Sequence, residues 1–321
     1  MSKQRIGWIG MGRMGTPMAE RLVQAGYDVS IWNRTRSKAE PLAAQGATLV
    51  DSPADLGGVD ILFTMVSTGA DVEQVYFGEN GVLSGAASPK IFVDCSSIGV
   101  DQSAEIRGRL AERGAGFLAA PVSGNGKCVK AGKLSQVASG PREVYDTVEP
   151  MLNTIAGRGA SYVGEGELAR FCKIAHNVFL GVVTQNLAEI TVLAEKAGVP
   201  RSAFLEWMNN SVMGSIFTRY KTNAFVNLDW TTTFTPALLR KDMDLGLASA
   251  REMGVPMPVT AATREALQAH FGAARLQDDP DAYLQEDFAA ILETVALGAG
   301  LDLESENTPV PTGLELSVAA Q

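Results

Sequence analysis

The first half of the chain contains short runs of apolar residues with helical patterns between them. The runs are apolar at consecutive positions and do not alternate with polar residues, as in strands that helices cover on both faces. Strands that alternate with helical segments predict an α/β domain with a parallel, doubly wound sheet. The predicted strands contain RIGWI, DVSIWN, ATLV, ILFTMV and IFVDCSS.

The second half of the chain has only helical periodicity. A long helical pattern, LARFCKIAHNVFLGVVTQNLAEITVLAEKAG, starts at Leu168, and Gly198 is the predicted helix stop. Shorter helical patterns follow, separated by the turn-forming sequences GVPMP and DDPDA. The chain is therefore predicted to contain an all-helical domain after the α/β domain.

These patterns predict three parts of the chain. Residues 1–165 form the α/β domain, and residues 166–300 form the helical domain, which begins with the long helix. Residues 301–321 contain two prolines and a glycine between polar residues, and we expect them to be a loosely held tail.

Composition and charge exclude several classes of protein. The chain has 36 acidic and 27 basic residues, a net charge of −9, which argues against a nucleic-acid partner. Its three cysteines are widely spaced without a CxxC, so no disulfide framework is expected. No secretory pattern is present, and no apolar stretch approaches the roughly 20 residues of a membrane span. We expect a cytoplasmic protein without membrane contact.

The motif Gly10-Met11-Gly12-Arg13-Met14-Gly15 lies directly between the first predicted strand and a helix. In a GxGxxG motif the first glycine permits a tight turn, the second lets a pyrophosphate approach the backbone, and the third lets strand and helix pack closely. A turn that needs glycine for structural reasons alone is the alternative. The position of the motif favours dinucleotide binding by a Rossmann-type domain.

The second predicted strand ends in Asn33-Arg34-Thr35, about 20 residues after the glycines. A site for NAD would carry an acid there for the ribose 2′-hydroxyl, whereas a guanidinium matches the 2′-phosphate of NADP. NADP(H) is therefore the preferred cofactor, and NAD(H) is possible. The alternative is that Arg34 is a solvated surface arginine beside Arg36.

Lys173 and Asn177 are four residues apart on the long predicted helix and so share one face. This spacing fits a catalytic pair, but it also fits an ordinary exposed pair. Cys172 and His176 have the same spacing, yet a zinc site needs three or four ligands and the chain has only one further histidine. No metal site is predicted, and a GxSxG elbow for a hydrolase is absent.

Five motifs in order resemble the β-hydroxyacid dehydrogenases, a family that includes 3-hydroxyisobutyrate dehydrogenase and tartronate semialdehyde reductase. The resemblance runs from Ile6 to about Leu297. It rests on IGWIGMGRMG, FVDCSS, APVSG, the pattern GxGxxxxxxKxxN that contains Lys173 and Asn177, and LLRKDMDLGLA.

The resemblance implies a role for particular residues. Lys173 would be the catalytic acid and base, and Asn177 would assist it and contact the substrate together with Ser123, Gly124 and Asn125. Ser97 would lie near the cofactor ribose or amide, and Lys241 near the nicotinamide. Met65, Val66 and Ser67 match the loop that lies along the cofactor in this family.

The implied reaction is NADP-dependent hydride transfer between nicotinamide and a small β-hydroxy acid or its semialdehyde or aldehyde. An imine reductase-like enzyme and a non-catalytic NADP-binding module of the same fold are the alternatives. Relatives of both kinds generally lack the lysine, so Lys173 counts against them. The resemblance and the thin helical domain also favour a homodimer or homotetramer.

The sequence departs from the family pattern around the expected substrate pocket. Ala119, Asn125, Cys128-Val129 and Lys133 replace residues that are usual there. These departures leave the identity of the hydroxy acid or aldehyde and the physiological direction open. Lys127, Lys130 and Lys133 form either a solvated basic edge or a site for an anion.

Overall fold

The computed structural model describes residues 4–315. Its N-terminal part is built on a parallel sheet in the order β3-β2-β1-β4-β5-β6, which confirms the predicted doubly wound α/β fold. The strands are β1 (Arg5–Ile9), β2 (Asp28–Trp32), β3 (Thr48–Leu49), β4 (Ile61–Thr64), β5 (Ile91–Asp94) and β6 (Gly116–Ala119).

The apolar strand runs are buried on both faces of this sheet. Leu62 and Phe63 are neighbours in β4, yet they enter two different apolar clusters, one on each side. Trp8 of β1 stacks on Phe63 with ring centroids 5.5 Å apart. Because consecutive side chains of a strand point to opposite faces, a sheet covered twice needs apolar residues at every position.

A second, smaller sheet follows, which the sequence patterns did not predict. It contains β7 (Val122–Ser123), β8 (Ser135–Ala138) and β9 (Ala160–Tyr162), with β7 antiparallel and β9 parallel to β8. These strands are only two to four residues long, too short for a clear pattern.

The helices of this part of the chain cover the sheets. They are α1 (Gly15–Gln24), α2 (Glu40–Ala43), α3 (Gly69–Phe77), α4 (Val100–Ala111), α5 (Gly126–Lys130) and α6 (Arg142–Ile155), with 3-10 turns at Arg36–Lys38 and Pro53–Leu56.

The rest of the described chain is helical, as predicted. Its first helix, α7 (Leu168–Lys196), is the long predicted helix, and Gly198 follows it with a φ of +90°. The others are α8 (Arg201–Asn210), α9 (Ile216–Asn227), α10 (Pro236–Glu252), α11 (Pro258–Ala274), α12 (Pro280–Tyr283) and α13 (Ile291–Gly298), with a 3-10 turn at Phe288–Ala290.

The chain divides into two compact units, Met1–Lys173 and Ile174–Gln321, here called the N-terminal unit and the helical unit. The division falls within α7. Among the helices of residues 4–315, only α7 is long and apolar enough to cross a membrane, judged by length and composition alone. Half of its most apolar window is buried within the protein, and it carries buried polar residues such as Thr184, as the core helix of a protein does.

Residues 301–310 differ from the expected loose tail. Leu301, Leu303 and Val310 pack against the apolar core of the helical unit. The Glu306 carboxylate accepts hydrogen bonds from the backbone N–H groups of Arg201 and Ser202 at 2.6 and 3.0 Å. These contacts hold the segment to the start of α8. The expectation for residues 316–321 lies outside the described residues.

The buried Arg201 guanidinium strengthens this attachment. It pairs with Glu195 at 2.5 Å and donates to the carbonyl oxygens of Val226 and Glu304. The long-range pairing of one buried arginine could not be seen in local sequence patterns, which explains why the tail was expected to be loose.

Candidate active site

The glycine-rich loop, residues 10–15, has a different constraint at each glycine. Gly10 has a φ of +99°, and a Cβ at this position would overlap the carbonyl oxygen of Met65. A Cβ at Gly15 would overlap the carbonyl oxygen of Gly10, so α1 and the end of β1 are in close contact there. A Cβ at Gly12 would meet nothing within 4 Å. The loop is thus tight at both ends and open in the middle, which fits a backbone that a pyrophosphate approaches.

Asn33 joins this loop to the end of β2. Its Oδ1 accepts a hydrogen bond from the backbone N–H of Met11 at 2.8 Å, and its Nδ2 donates to the carbonyl of Thr35 at 2.8 Å. The asparagine therefore fixes the loop and the segment that carries Arg34 in one arrangement.

Two arginines follow β2, and each faces an acid. The Arg36 guanidinium lies 2.6 Å from Asp51, whereas that of Arg34 lies 3.5 Å from Asp71 and is 82% exposed. Arg34 is the arginine with the greater freedom to meet a ligand.

The loop after β4 lies beside the glycine-rich loop. The Met65 backbone N–H donates to the carbonyl of Ile9 at 2.9 Å, and that of Val66 donates to Ser96 Oγ at 2.9 Å. Two residues of the predicted cofactor loop are thereby fixed to the ends of β1 and β5. Ser67 follows them directly, and Ser97 follows Ser96 in the same way.

A buried polar network at the end of β5 was missed by the sequence analysis. The Arg170 guanidinium donates to Asp94 Oδ2 at 2.5 Å, to the Ser96 carbonyl at 2.6 Å and to Ser103 Oγ at 3.0 Å. Arg170 and Asp94 are both almost fully buried. The sequence features that could have revealed it are the aspartate in FVDCSS and the arginine three residues before Lys173. The network fastens the first turn of α7 to the end of β5.

The residues Ser123, Gly124 and Asn125 run from β7 into α5. Asn125 is the N-cap of α5, and its Oδ1 accepts from the backbone N–H of Cys128 at 3.1 Å. The residue is 8% exposed, and its Nδ2 has no hydrogen-bond partner in the structure. A Cβ at Gly126 would lie 2.8 Å from the Arg13 carbonyl oxygen, so α5 starts against the glycine-rich loop.

Lys173 lies on α7 one turn after Arg170 and is partly buried. Asn177, one turn further along, is buried and donates from Nδ2 to Asp242 Oδ2 at 2.5 Å. Lys241 Nζ lies 3.2 Å from Asp242 Oδ1. Asp242 thus brings Asn177 and Lys241 to one carboxylate within the helical unit. The sequence analysis singled out Lys241 in the motif RKD and missed the adjacent aspartate.

Cys95 is a buried thiol directly after β5. Burial raises the pKa of the Cys95 thiol, as does the negative charge of Asp94, so Cys95 is not a ready nucleophile. Among residues 4–315, no three His, Cys, Asp or Glu side chains form a group suited to a metal ion.

Comparison with known families covers both units. The family description "NAD binding domain of 6-phosphogluconate dehydrogenase" matches residues 5–164, and "NAD-binding of NADP-dependent 3-hydroxyisobutyrate dehydrogenase" matches residues 167–295. Glyoxylate/succinic semialdehyde reductase 2 of Arabidopsis thaliana is 32% identical over 291 residues, which are 90% of this chain and 79% of that protein. The chain belongs to the β-hydroxyacid dehydrogenase family. It is an NAD(P)-dependent oxidoreductase that acts on CH–OH groups.

Solved structures agree with this family. The 3-hydroxyisobutyrate dehydrogenase of Mycobacterium tuberculosis, solved with L-serine, has a TM-score of 0.75 and 27% identity over 91% of this chain and 99% of that one. An imine reductase from Pseudomonas sp. has a TM-score of 0.59 and 21% identity over 91% of this chain and 99% of its own. The second likeness shows the fold alone.

Proposed function

We propose that this β-hydroxyacid dehydrogenase uses NADP and interconverts a small β-hydroxy acid and its semialdehyde or aldehyde, with Lys173 as the acid and base. The observation that carries the proposal is the anchored start of α7. Arg170 is held at the end of β5, and Lys173, three residues later, shares its helix face. Ligands of open α/β sheets bind at the carboxyl ends of the strands, so this anchor favours Lys173 as a group that meets them.

The protein's own side chains carry out the proton transfer of the reaction. NADPH, when bound, supplies the hydride from its nicotinamide ring. In reduction, Lys173 donates a hydrogen bond and then a proton to the carbonyl oxygen, and in oxidation it takes the hydroxyl proton. Asn177 adds an uncharged contact, and its hydrogen bond to Asp242 limits its orientation.

Residues of the glycine-rich loop and of the end of β2 would hold the phosphates of the cofactor. The open backbone at Gly12 would receive the pyrophosphate, and Arg34 and Thr35 would receive the 2′-phosphate of NADP. The other residues assigned to the cofactor are Gly10, Met11, Arg13, Met14, Asn33, Met65, Val66, Ser67, Ser97 and Lys241.

Ser123, Gly124 and Asn125 are assigned to the substrate. The buried Asn125 Nδ2 has no partner, and an unsatisfied buried donor costs about 1–3 kcal/mol. A substrate oxygen that accepts from it would remove this cost. L-serine, present in the mycobacterial relative's structure, is itself a β-hydroxy acid.

The decisive experiment is NADPH-coupled turnover over a panel of hydroxy acids, aldehydes and imines. Lys173→Ala is expected to keep the fold and NADPH binding and to lose about 10²- to 10⁴-fold in kcat. Lys173→Arg keeps the positive charge but cannot release a proton, so it should restore little activity. Normal turnover in Lys173→Ala would refute the mechanism.

The same panel separates the alternatives. Turnover of imines without turnover of hydroxy acids would favour an imine reductase-like enzyme. Tight NADPH binding without any turnover would favour a binding module of the same fold.

The cofactor preference has its own test. Because a charge-assisted contact to the 2′-phosphate is lost, Arg34→Ala is expected to lower kcat/KM for NADPH by about 10- to 100-fold and to leave NADH nearly unaffected. A wild-type preference for NADH would contradict the assignment.

A homodimer or homotetramer in the cytoplasm completes the proposal. The helical unit exposes large apolar side chains, which supports self-association. All three cysteines are free thiols, as is usual in a reducing compartment. A monomer in light scattering at micromolar concentration would count against the oligomer. The exposed side chains include Phe179, Leu193, Trp207, Val212 and Met213.

A further inference from the structure

The two arginines after β2 differ in how firmly their acids are held to them. Arg36 and Asp51 are 2.6 Å apart, a close ion pair. Arg34 and Asp71 are 3.5 Å apart, at the edge of ion-pair distance, and the Arg34 side chain is 82% exposed. A negatively charged ligand therefore competes with a more distant internal partner at Arg34 and with a closer one at Arg36.

Asp71 does not move freely toward or away from Arg34. It lies in the first turn of α3, where its Oδ2 accepts from the Thr68 backbone N–H at 3.1 Å and from Thr68 Oγ1 at 2.7 Å. Thr68 Oγ1 in turn accepts from the Asp71 backbone N–H. This capping box fixes one carboxylate oxygen and leaves Oδ1 directed at Arg34.

We propose that Asp71 is a specificity-determining residue whose carboxylate is the internal anion that the 2′-phosphate of NADP displaces from Arg34. This inference rests on the proposed binding of the 2′-phosphate by Arg34. NAD has no such phosphate and leaves the Arg34–Asp71 pair intact. Asp71 therefore reduces the preference of the site for NADP over NAD.

The expected size follows from the exposure of the pair. Exposed ion pairs are weak, and the fixed carboxylate also repels the incoming phosphate through solvent. Removal of the Asp71 charge should tighten the Kd for NADPH by about two- to fivefold and leave the Kd for NADH unchanged. Salt screens exposed charges, so the gain should shrink as ionic strength rises.

Asp71→Asn is the variant that isolates the charge. Asparagine keeps a side-chain oxygen that can accept from the Thr68 N–H, so α3 should stay capped, and thermal unfolding checks this. Asp71→Ser is a second variant without the charge. Asp51→Asn is the matched control, because it removes a carboxylate near the end of β2 without changing the Arg34–Asp71 pair, and it should change the Kd for NADPH less than Asp71→Asn does. Cofactor fluorescence titrations give the Kd values without turnover.

The double variant Arg34→Ala with Asp71→Asn tests whether the effect of Asp71→Asn on the Kd for NADPH depends on Arg34. The proposal expects Asp71→Asn to have a smaller effect on the Kd for NADPH in the Arg34→Ala background, because only the repulsion between Asp71 and the phosphate through solvent is left to remove. An equal effect in both backgrounds would show that Arg34 is not involved. Weaker or unchanged NADPH binding in Asp71→Asn alone, or an equal change for both cofactors, would overturn the proposal. If Arg34→Ala itself leaves the NADPH to NADH ratio of Kd values unchanged, the proposed 2′-phosphate site fails as well. A failure of the Asp71 step alone leaves the Arg34→Ala effect in place.

Discussion

We predict that His270 makes the stability of the helical unit depend on pH. The ring is fully buried on α11, where its Nδ1 lies 2.8 Å from Thr294 Oγ1 and its ring centroid lies 5.0 Å from that of Tyr283. Its Nε2 has no hydrogen-bond partner in the structure. Burial lowers the pKa of His270 from 6.5 to about 4, so this ring is neutral in the folded protein at pH 7.

The sign and size of the effect follow from this shift. Between pH 6.5 and about pH 4, His270 is protonated in the unfolded chain and mainly neutral in the folded chain. Acid therefore favours unfolding. A fall in the pKa of His270 from 6.5 to about 4 corresponds to a loss of about 3 kcal/mol in the free energy of unfolding between pH 7 and pH 4. Glu286 acts in the opposite direction, since burial and the charge of Glu293 raise its pKa.

The comparison of variants separates His270 from other titrating groups. His270→Gln cannot take up the proton, so its free energy of urea unfolding, followed by helix ellipticity, should fall less between pH 7 and pH 4.5 than that of the wild type. His176→Gln is the comparison variant, because it removes the only other histidine of the chain and leaves His270 in place. An equal pH slope in wild type and His270→Gln would refute the reasoning.

Three further predictions concern the network, the loop and the tail. Arg170→Met leaves the buried Asp94 carboxylate without its cation, and we expect a loss of about 3–5 kcal/mol in urea unfolding, with less than additive loss when Asp94→Asn is added. Gly12→Ala should fold normally and bind NADPH more weakly in titrations. Gly15→Ala should lower the Tm, because a Cβ at Gly15, unlike one at Gly12, would overlap backbone atoms. Burial works to raise the pKa of Glu306, but hydrogen bonds from Ser202 and Arg201 outweigh it and lower the pKa; Glu306→Gln should therefore lose stability at pH 7 and less near pH 3, measured by Tm.

Local patterns in the sequence were enough for much of the fold and for part of the site. The apolar runs gave five strands of the main sheet, and Gly198 marked the end of α7, because strand burial and helix stops depend on neighbouring residues. The pairing of Arg170 with Asp94 joins residues 76 positions apart, and that of Asn177 with Asp242 joins residues 65 apart. Such pairs become visible only when the fold brings them together, which explains why Asp94 and Asp242 were missed.

The attachment of Arg201 to residues 304–306 affects the order in which the chain folds during synthesis. Residues of the N-terminal unit leave the ribosome first and contain all six strands of the main sheet. The helical unit follows. Its Arg201 guanidinium and the backbone N–H groups at the start of α8 are hydrogen-bonded to residues that come about 100 positions later in the chain. Until those residues emerge, the Arg201 guanidinium must stay in water, and the helical unit completes its folding only after residues 304–306 have been synthesised.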